Sequence, residues 1–198
     1  MGNNAFIPGK VVKTFETEKG HEVVVRYPRW EDLDKLTNYI NALSQEDTFI
    51  RFSGETITVA EESEFLAGWF KRIDLSNGVM LCGFVADNLA GACGIERNEI
   101  QRQRSRHAGI FGIAVARQFR GEGIGYELAR ATIDEAKKMI PGLRLLTLDV
   151  FGKNVVAQGL YRKLGFEEVG RIPEAILYKG EYTDNVIMYL CLCRAPAV

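Results

Sequence analysis

Hydrophobic residues recur at helical spacing in several parts of this chain. In residues 30–43 they fall at every third or fourth position, so that they share one face of a helix. Residues 60–73 and 125–140 show the same periodicity, and Pro141-Gly142 ends the second of these stretches. A shorter stretch, 154–164, ends before a glycine. The pattern therefore predicts four helices.

Runs of apolar and β-branched residues between these helices predict strands. The runs lie at residues 11–15, 22–27, 80–86, 89–95, 108–115, 145–150, 166–171 and 186–193. Turns are predicted at Lys19-Gly20 and Asp87-Asn88, because these residue types tolerate the positive φ of tight turns. Residues 44–60 match neither pattern. The order of the elements predicts an α/β fold, in which a β-meander precedes a strand–loop–helix unit.

The composition and the charge argue against several classes of protein. The 198 residues are 46% hydrophobic and 26% charged, which suits a folded core rather than a disordered chain. The net charge of −1 gives no basic excess, so no nucleic-acid partner is expected. No apolar run approaches the roughly 20 residues of a membrane-spanning helix, and the first residues do not resemble a secretory signal. The four cysteines lack metal-ligand spacing and are expected to be buried, reduced thiols of a cytoplasmic protein.

A glycine-rich loop after the strand at 108–115 carries the strongest indication of chemistry. Its glycines are Gly121, Gly123 and Gly125, and a predicted helix follows them. Glycines here let backbone N–H groups and a helix N-terminus face a phosphate group. A P-loop is excluded, because Lys-Ser or Lys-Thr does not follow the last glycine. A dinucleotide-binding fold remains an alternative, since Asp149 ends the next strand, although the glycine spacing differs from that of such folds.

Two motifs resemble those of the GNAT acetyltransferase superfamily. The first is Arg120-x-x-Gly123-x-Gly125, and the second is Asn154-x-x-Ala157-x-x-Leu160-Tyr161-x-Lys163-x-Gly165-Phe166. The resemblance implies a GNAT fold, a mixed and mostly antiparallel central sheet that is splayed between two parallel strands and flanked by helices. Residues 23–193 would form this single domain, and residues 1–22 an N-terminal arm or β-hairpin extension.

The resemblance also implies that acetyl-CoA is the cosubstrate and that no metal is needed. In the family the glycine loop holds the diphosphate, and backbone groups at the end of the preceding strand hold the pantetheine arm. A backbone N–H near Ala114 or Val115 would stabilise the oxyanion of the tetrahedral intermediate. The residues expected to bind the cofactor are Ile113, Ala114, Val115, Arg120, Gly121, Glu122, Gly123, Ile124, Gly125 and Asn154.

Tyr161 and His107 are the candidate catalytic residues. Tyr161 follows Asn154 by seven residues, about 10 Å along one helix face, which would place its phenol near the sulfur of an extended pantetheine arm. The phenol would protonate the leaving thiolate. Many family members carry a glutamate base on the strand where this chain has Ile110 and Phe111. His107 is the candidate substitute, because imidazole titrates near neutral pH, and an ordinary exposed histidine is the alternative.

The predicted function is therefore N-acetylation, by direct attack of a primary amine on acetyl-CoA in a ternary complex. The acceptor would be a small amine, an amino acid, or a peptide or protein amine, bound by surfaces at residues 30–73 and 96–107. A non-catalytic acyl-CoA binding or sensing module remains an alternative, because the strand glutamate is missing, and a nicotinamide-binding enzyme is a third. Apolar strands near the C-terminus favour a homodimer, and no membrane partner is expected.

Overall fold

The computed structural model of the protein describes residues 6–193, so that residues 1–5 of the predicted arm lie outside the described residues. Its α-helices are α1 (Leu33–Gln45), α2 (Val59–Asp74), α3 (Ile124–Met139) and α4 (Val155–Lys163). The four predicted helices are confirmed, and their ends differ from the prediction by no more than three residues. A 3-10 turn, Trp30–Asp32, precedes α1 and accounts for the largest of these differences.

Strands form one mixed sheet. They are β1 (Val11–Glu16), β2 (Glu22–Arg26), β3 (Gly78–Val85), β4 (Asn88–Arg97), β5 (Ala108–Val115), β6 (Leu145–Phe151), β7 (Glu167–Tyr178) and β8 (Glu181–Cys191). Their hydrogen-bonded order is β1-β2-β3-β4-β5-β6-β8-β7. β5 and β6 are parallel, and their ladder covers only Ala108–Ile110 of β5. Antiparallel pairing joins β1 to β2, β2 to β3, β3 to β4, β6 to β8 and β7 to β8, which confirms the predicted fold class.

The last hairpin is longer than the sequence predicted. β7 was expected to end at residue 171 but continues to Tyr178, and β8 begins at Glu181 rather than at residue 186. Lys179 and Gly180 form the turn with φ values of 51° and 78°. The added residues are mixed in polarity and do not alternate, so their sequence alone does not predict strands. They form strands because the two segments pair with each other, as Tyr178 does with Glu181.

The turn between β3 and β4 is shifted by one residue from the predicted Asp87-Asn88. Ala86 and Asp87 have φ values of 44° and 68°, whereas Asn88 starts β4 and pairs with Val85. A two-residue hairpin turn with positive φ at both central positions matches the twist of the flanking strands. The register of the two strands therefore holds Ala86 in a left-handed conformation, which alanine by itself rarely adopts.

The chain divides into two compact units. The first unit holds the described residues up to Glu96 together with Gly112–Pro141, and the second unit holds Arg97–Phe111 and the described residues from Gly142 onward. β5 therefore begins in the second unit and ends in the first. The single domain predicted for residues 23–193 stays a prediction.

The core of the first unit lies between its strands and the helices α2 and α3. Val23, Leu81 and Leu128 are fully buried there. α2 approaches β4 so closely that a Cβ atom added at Gly94 would lie 2.7 Å from the Trp69 ring, which explains the glycine. Cys82 and Cys93 are buried in this unit, as predicted for the cysteines.

The core of the second unit lies on β6 and β8. Leu146, Leu148 and Met188 are at most 2% exposed. The prediction of buried cysteines is wrong in this unit. Cys191, the last residue of β8, is only half-buried, and Cys193 is exposed. In neither unit do the described residues include a helix with the length and apolar character that a membrane crossing requires.

Candidate active site

The glycine loop connects β5 to α3 in the first unit and has the backbone geometry of an anion site. Gly121 and Gly123 have φ values of 78° and 79°, in the left-handed region that favours glycine. Gly123 is the N-cap of α3, and Ile124 begins the helix. The first N–H groups of a helix have no intrahelical partner and lie at the positive end of its dipole. The loop can therefore hold a phosphate group without rearrangement of its backbone.

Arg120 makes two contacts that hold the glycine loop in place. Its Nε donates to the Val115 carbonyl at 2.9 Å, and its Nη2 lies 2.8 Å from a carboxylate oxygen of Glu46. Glu46 is the C-cap of α1, so one side chain ties the loop to the end of β5 and to the end of α1. These contacts fix the loop, and the bond expected from this guanidinium to the diphosphate stays a prediction.

Glu122 is predicted to bind the cofactor as part of the glycine loop. In the structure its side chain is buried beneath this loop. Its carboxylate lies 2.8 Å from His21 Nδ1, and it accepts hydrogen bonds from Lys19 Nζ at 3.2 Å and from the Thr17 hydroxyl at 3.3 Å. The hydrogen bond with His21, together with Lys19, holds the pKa of Glu122 below its usual range. The hairpin of β1 and β2 thus supports the loop from about 100 residues away in sequence, and no local pattern signals this contact.

The end of β5 is held by side chains as well as by strand pairing. Ile113, Ala114 and Val115, which are predicted to hold the pantetheine arm, are half-buried. The Ala114 carbonyl accepts a hydrogen bond from the Tyr39 hydroxyl at 2.7 Å. The Val115 carbonyl is the one that Arg120 contacts. Tyr39 lies in the stretch 30–73 that is predicted to bind the acceptor, and no local pattern in the sequence predicts its contact with β5.

Three predicted residues, Asn154, Tyr161 and His107, lie in the second unit. Asn154 is the N-cap of α4, where its Oδ1 accepts the N–H of Ala157 at 3.1 Å. This cap explains why an asparagine begins the helix. His107 is exposed just before β5, and its carbonyl accepts the N–H of Arg144 at 2.8 Å.

Tyr161 lies in an aromatic cluster of the second unit and is 7% exposed. Its ring contacts Phe111 edge-on and also packs near Phe166, with both ring centroids 5.9 Å away. Phe111 is, with Ile110, one of the two strand residues at the place where the resemblance implies a glutamate in many family members. The aromatic cluster gives this phenylalanine a packing role and places apolar surface beside the phenol.

Glu96 begins the segment 96–107 that is predicted to bind the acceptor, and its carboxylate is paired. Glu96 forms an ion pair with Arg72 at 2.7 Å in the first unit. Among residues 6–193, no group of three or more His, Cys, Asp and Glu side chains is arranged to hold a metal ion.

Comparisons with known proteins match the architecture and the motifs. The sequence model of the acetyltransferase (GNAT) family matches residues 36–166. The L-amino acid N-acetyltransferase AaaT of Escherichia coli K12 is 27% identical over 168 residues, which cover 84% of this chain and 96% of that enzyme.

Solved structures show the same fold. The acetyltransferase of GNAT family from Streptococcus pneumoniae has a TM-score of 0.76 and 27% identity, over 85% of this chain and 98% of that one. A phosphinothricin acetyltransferase of Sinorhizobium meliloti, solved in complex with acetyl-CoA, has a TM-score of 0.75 and 19% identity, over 89% of this chain and 91% of that one. At this lower identity the second match shows a shared fold.

Proposed function

As a member of the acetyltransferase (GNAT) family, the chain is an acetyl-CoA-dependent N-acetyltransferase, and we propose that its acceptor is the α-amine of a free amino acid. The amino-acid N-acetyltransferase of Escherichia coli supports this acceptor, because the match spans nearly the whole of that enzyme. The amine of a peptide or protein is the second candidate acceptor. The observation that carries the assignment to acetyl-CoA is the glycine loop at the N-terminus of α3.

The proposed binding mode assigns the diphosphate to the backbone N–H groups of residues 121–125. Arg120 and Glu122 would keep this loop in shape from either side, through Glu46 and through the β1–β2 hairpin. Asn154 would lie near an amide of the pantetheine arm. Backbone groups of Ile113, Ala114 and Val115 would bind the rest of the arm.

The proposed reaction is a direct transfer. The amine nitrogen attacks the thioester carbonyl carbon, a C–N bond forms, and the C–S bond breaks as the tetrahedral intermediate collapses. The Val115 N–H would stabilise the oxyanion of that intermediate. Tyr161 would donate a proton to the departing thiolate, and His107 is the candidate that removes the proton of the amine.

Homodimer formation and a cytoplasmic location are also proposed. Exposed apolar residues on the outer hairpin, Val169, Ile172, Leu177 and Tyr182, support self-association. The free cysteines of the described chain fit a reducing compartment. Light scattering at several concentrations would test the dimer, and a constant monomer mass would contradict it.

The cofactor assignment is tested by thermal unfolding of the purified protein with acetyl-CoA, and with NAD as the control. A ligand at one hundred times its Kd adds about 2.7 kcal/mol to the free energy of unfolding. We expect acetyl-CoA to raise the unfolding temperature and NAD to leave it unchanged. A shift with NAD alone would contradict the assignment.

The acceptor assignment is tested by thiol release from acetyl-CoA in the presence of single L-amino acids and of short peptides. We expect release with one or more free amino acids and a faster rate than with peptides that carry the same N-terminal residue. Release with peptides only would replace the amino-acid acceptor with a peptide or protein amine.

A further inference from the structure

The Tyr39 phenol, on α1, reaches the backbone at the end of β5. Its hydroxyl donates to the Ala114 carbonyl at 2.7 Å. A side chain of α1 therefore holds a carbonyl group of β5. All of these residues belong to the first unit.

β4 and β5 lie close together beside this hydrogen bond. The Ala116 N–H donates to the Ala90 carbonyl at 2.9 Å. A Cβ atom added at Gly91 would lie 2.9 Å from the Ala114 carbonyl oxygen, so the strand needs a glycine at this point. The Ala114 carbonyl is therefore confined both by the phenol and by the neighbouring strand.

This confinement fixes the direction of an N–H group. The carbonyl of Ala114 and the N–H of Val115 belong to one peptide unit, and in a planar trans peptide they point in opposite directions. Arg120 holds the carbonyl of the next peptide unit, that of Val115. Side chains from α1 and from the glycine loop thus orient both peptide units that include Val115.

We infer that Tyr39 is a positioning residue of the transferase, which aims the Val115 N–H at the thioester carbonyl oxygen of acetyl-CoA. The inference rests on the proposed function, in which this N–H stabilises the oxyanion. A preorganised donor stabilises developing charge without reorganisation during the reaction. Burial raises the pKa of the Tyr39 phenol, so its hydroxyl remains a donor over the working pH range.

The test compares the affinities of acetyl-CoA and CoA by calorimetry, since only acetyl-CoA carries the carbonyl. The variant is Tyr39→Phe, which keeps the ring and removes the hydroxyl. A hydrogen bond of ordinary strength corresponds to a factor of about 2 to 10 in affinity. We expect the wild type to prefer acetyl-CoA and Tyr39→Phe to lose this preference by about that factor, with its affinity for CoA unchanged.

Tyr27→Phe is the matched control. Tyr27 is also a tyrosine of the first unit, and its hydroxyl donates to Glu135 at 3.2 Å, on α3. Removing either hydroxyl costs a buried hydrogen bond, so both variants are expected to unfold at a lower temperature. Only Tyr39→Phe is expected to change the preference for acetyl-CoA and, with an accepted amine, to lower kcat while KM for acetyl-CoA changes little.

Gly91→Ala is a second variant. Its added methyl group should displace the Ala114 carbonyl and so reduce the preference for acetyl-CoA over CoA. An unchanged ratio of the two affinities in Tyr39→Phe, or equal affinities in the wild type, would overturn the inference and leave the proposed function in place. Failure of the wild type to bind either compound would refute the proposed function instead.

Discussion

At the scale of single residues, Tyr161 combines a buried ring with the hydroxyl that the proposed reaction needs. Its ring is held by Phe111 and Phe166, so the phenol cannot turn away from its position without disturbing that packing. A side chain fixed in this way is suited to proton donation at one place. Phenylalanine at the same position would keep the packing and lose only the donor.

We therefore predict that Tyr161→Phe lowers kcat about 100-fold, within the range of general acid catalysis. Thiol release from acetyl-CoA measures the rate. Tyr182→Phe, at a position that is 67% exposed on β8, is the control and should keep full activity. Equal rates for the wild type and Tyr161→Phe would remove the phenol from the mechanism.

His107 is the second residue whose role a substitution can decide. Its side chain is exposed at the start of β5. If it accepts the proton of the amine, His107→Gln should lower kcat about 100-fold, within the range of general base catalysis. Thiol release from acetyl-CoA measures the rate, and an unchanged kcat in the variant would mean that His107 is an ordinary surface histidine.

At the scale of elements, the connection from β5 to α3 depends on two left-handed glycines. The left-handed region costs a residue with a Cβ about 1–2 kcal/mol. Steric crowding does not explain these glycines, because a Cβ atom at Gly121 or Gly123 would meet no atom within 4 Å. The cost of substitution is therefore one of backbone conformation, which would change the direction of the loop N–H groups.

Gly123→Ala is expected to lower the free energy of unfolding by about 1–2 kcal/mol and to weaken acetyl-CoA binding. Gly159→Ala is the matched control, because Gly159 lies inside α4 without a positive φ and with equally open space around its Cβ position. It should stabilise the protein by about 0.5–1 kcal/mol. Denaturant unfolding and calorimetry measure both effects, and similar results for the two variants would contradict the argument.

At the scale of the whole molecule, a buried ion pair makes stability depend on pH. Asp32 is 1% exposed and accepts two hydrogen bonds from Arg26 at 2.6 Å and 2.7 Å. Burial alone would raise the pKa of Asp32, but the bonds from Arg26 and from the Arg29 N–H outweigh it, so the pKa is lowered. A carboxyl with a lowered pKa stabilises the fold above its ordinary pKa, near 4, and this contribution is lost as the pH falls further.

Accordingly, Asp32→Asn should lower the free energy of unfolding at pH 7 by about 3 kcal/mol, since it leaves the buried guanidinium without its charge partner. The same variant should lose less stability than the wild type between pH 5 and pH 3. Asp134→Asn removes an exposed carboxylate with a 4.0 Å contact to Lys137 and should change neither quantity. Urea unfolding at several pH values checks the prediction, and parallel pH curves for all three proteins would exclude it.

The sequence by itself determined the features that depend on neighbouring residues. Helical periodicity located α1 to α4, and the glycine spacing located the loop at the start of α3. These features follow from φ preferences and from hydrogen bonds three or four residues apart, which the local sequence encodes. The two motifs also identified the family before any contact was known.

The tertiary structure decided the features that depend on contacts between distant residues. Tyr39 meets Ala114 across 75 residues, and His21 meets Glu122 across 101 residues. Pairing with a partner strand, rather than alternation of polarity, also extended β7 to Tyr178. Which side chain lies beside a given backbone group is set by how helices and strands pack, and a single chain read in order contains no local signal for that choice.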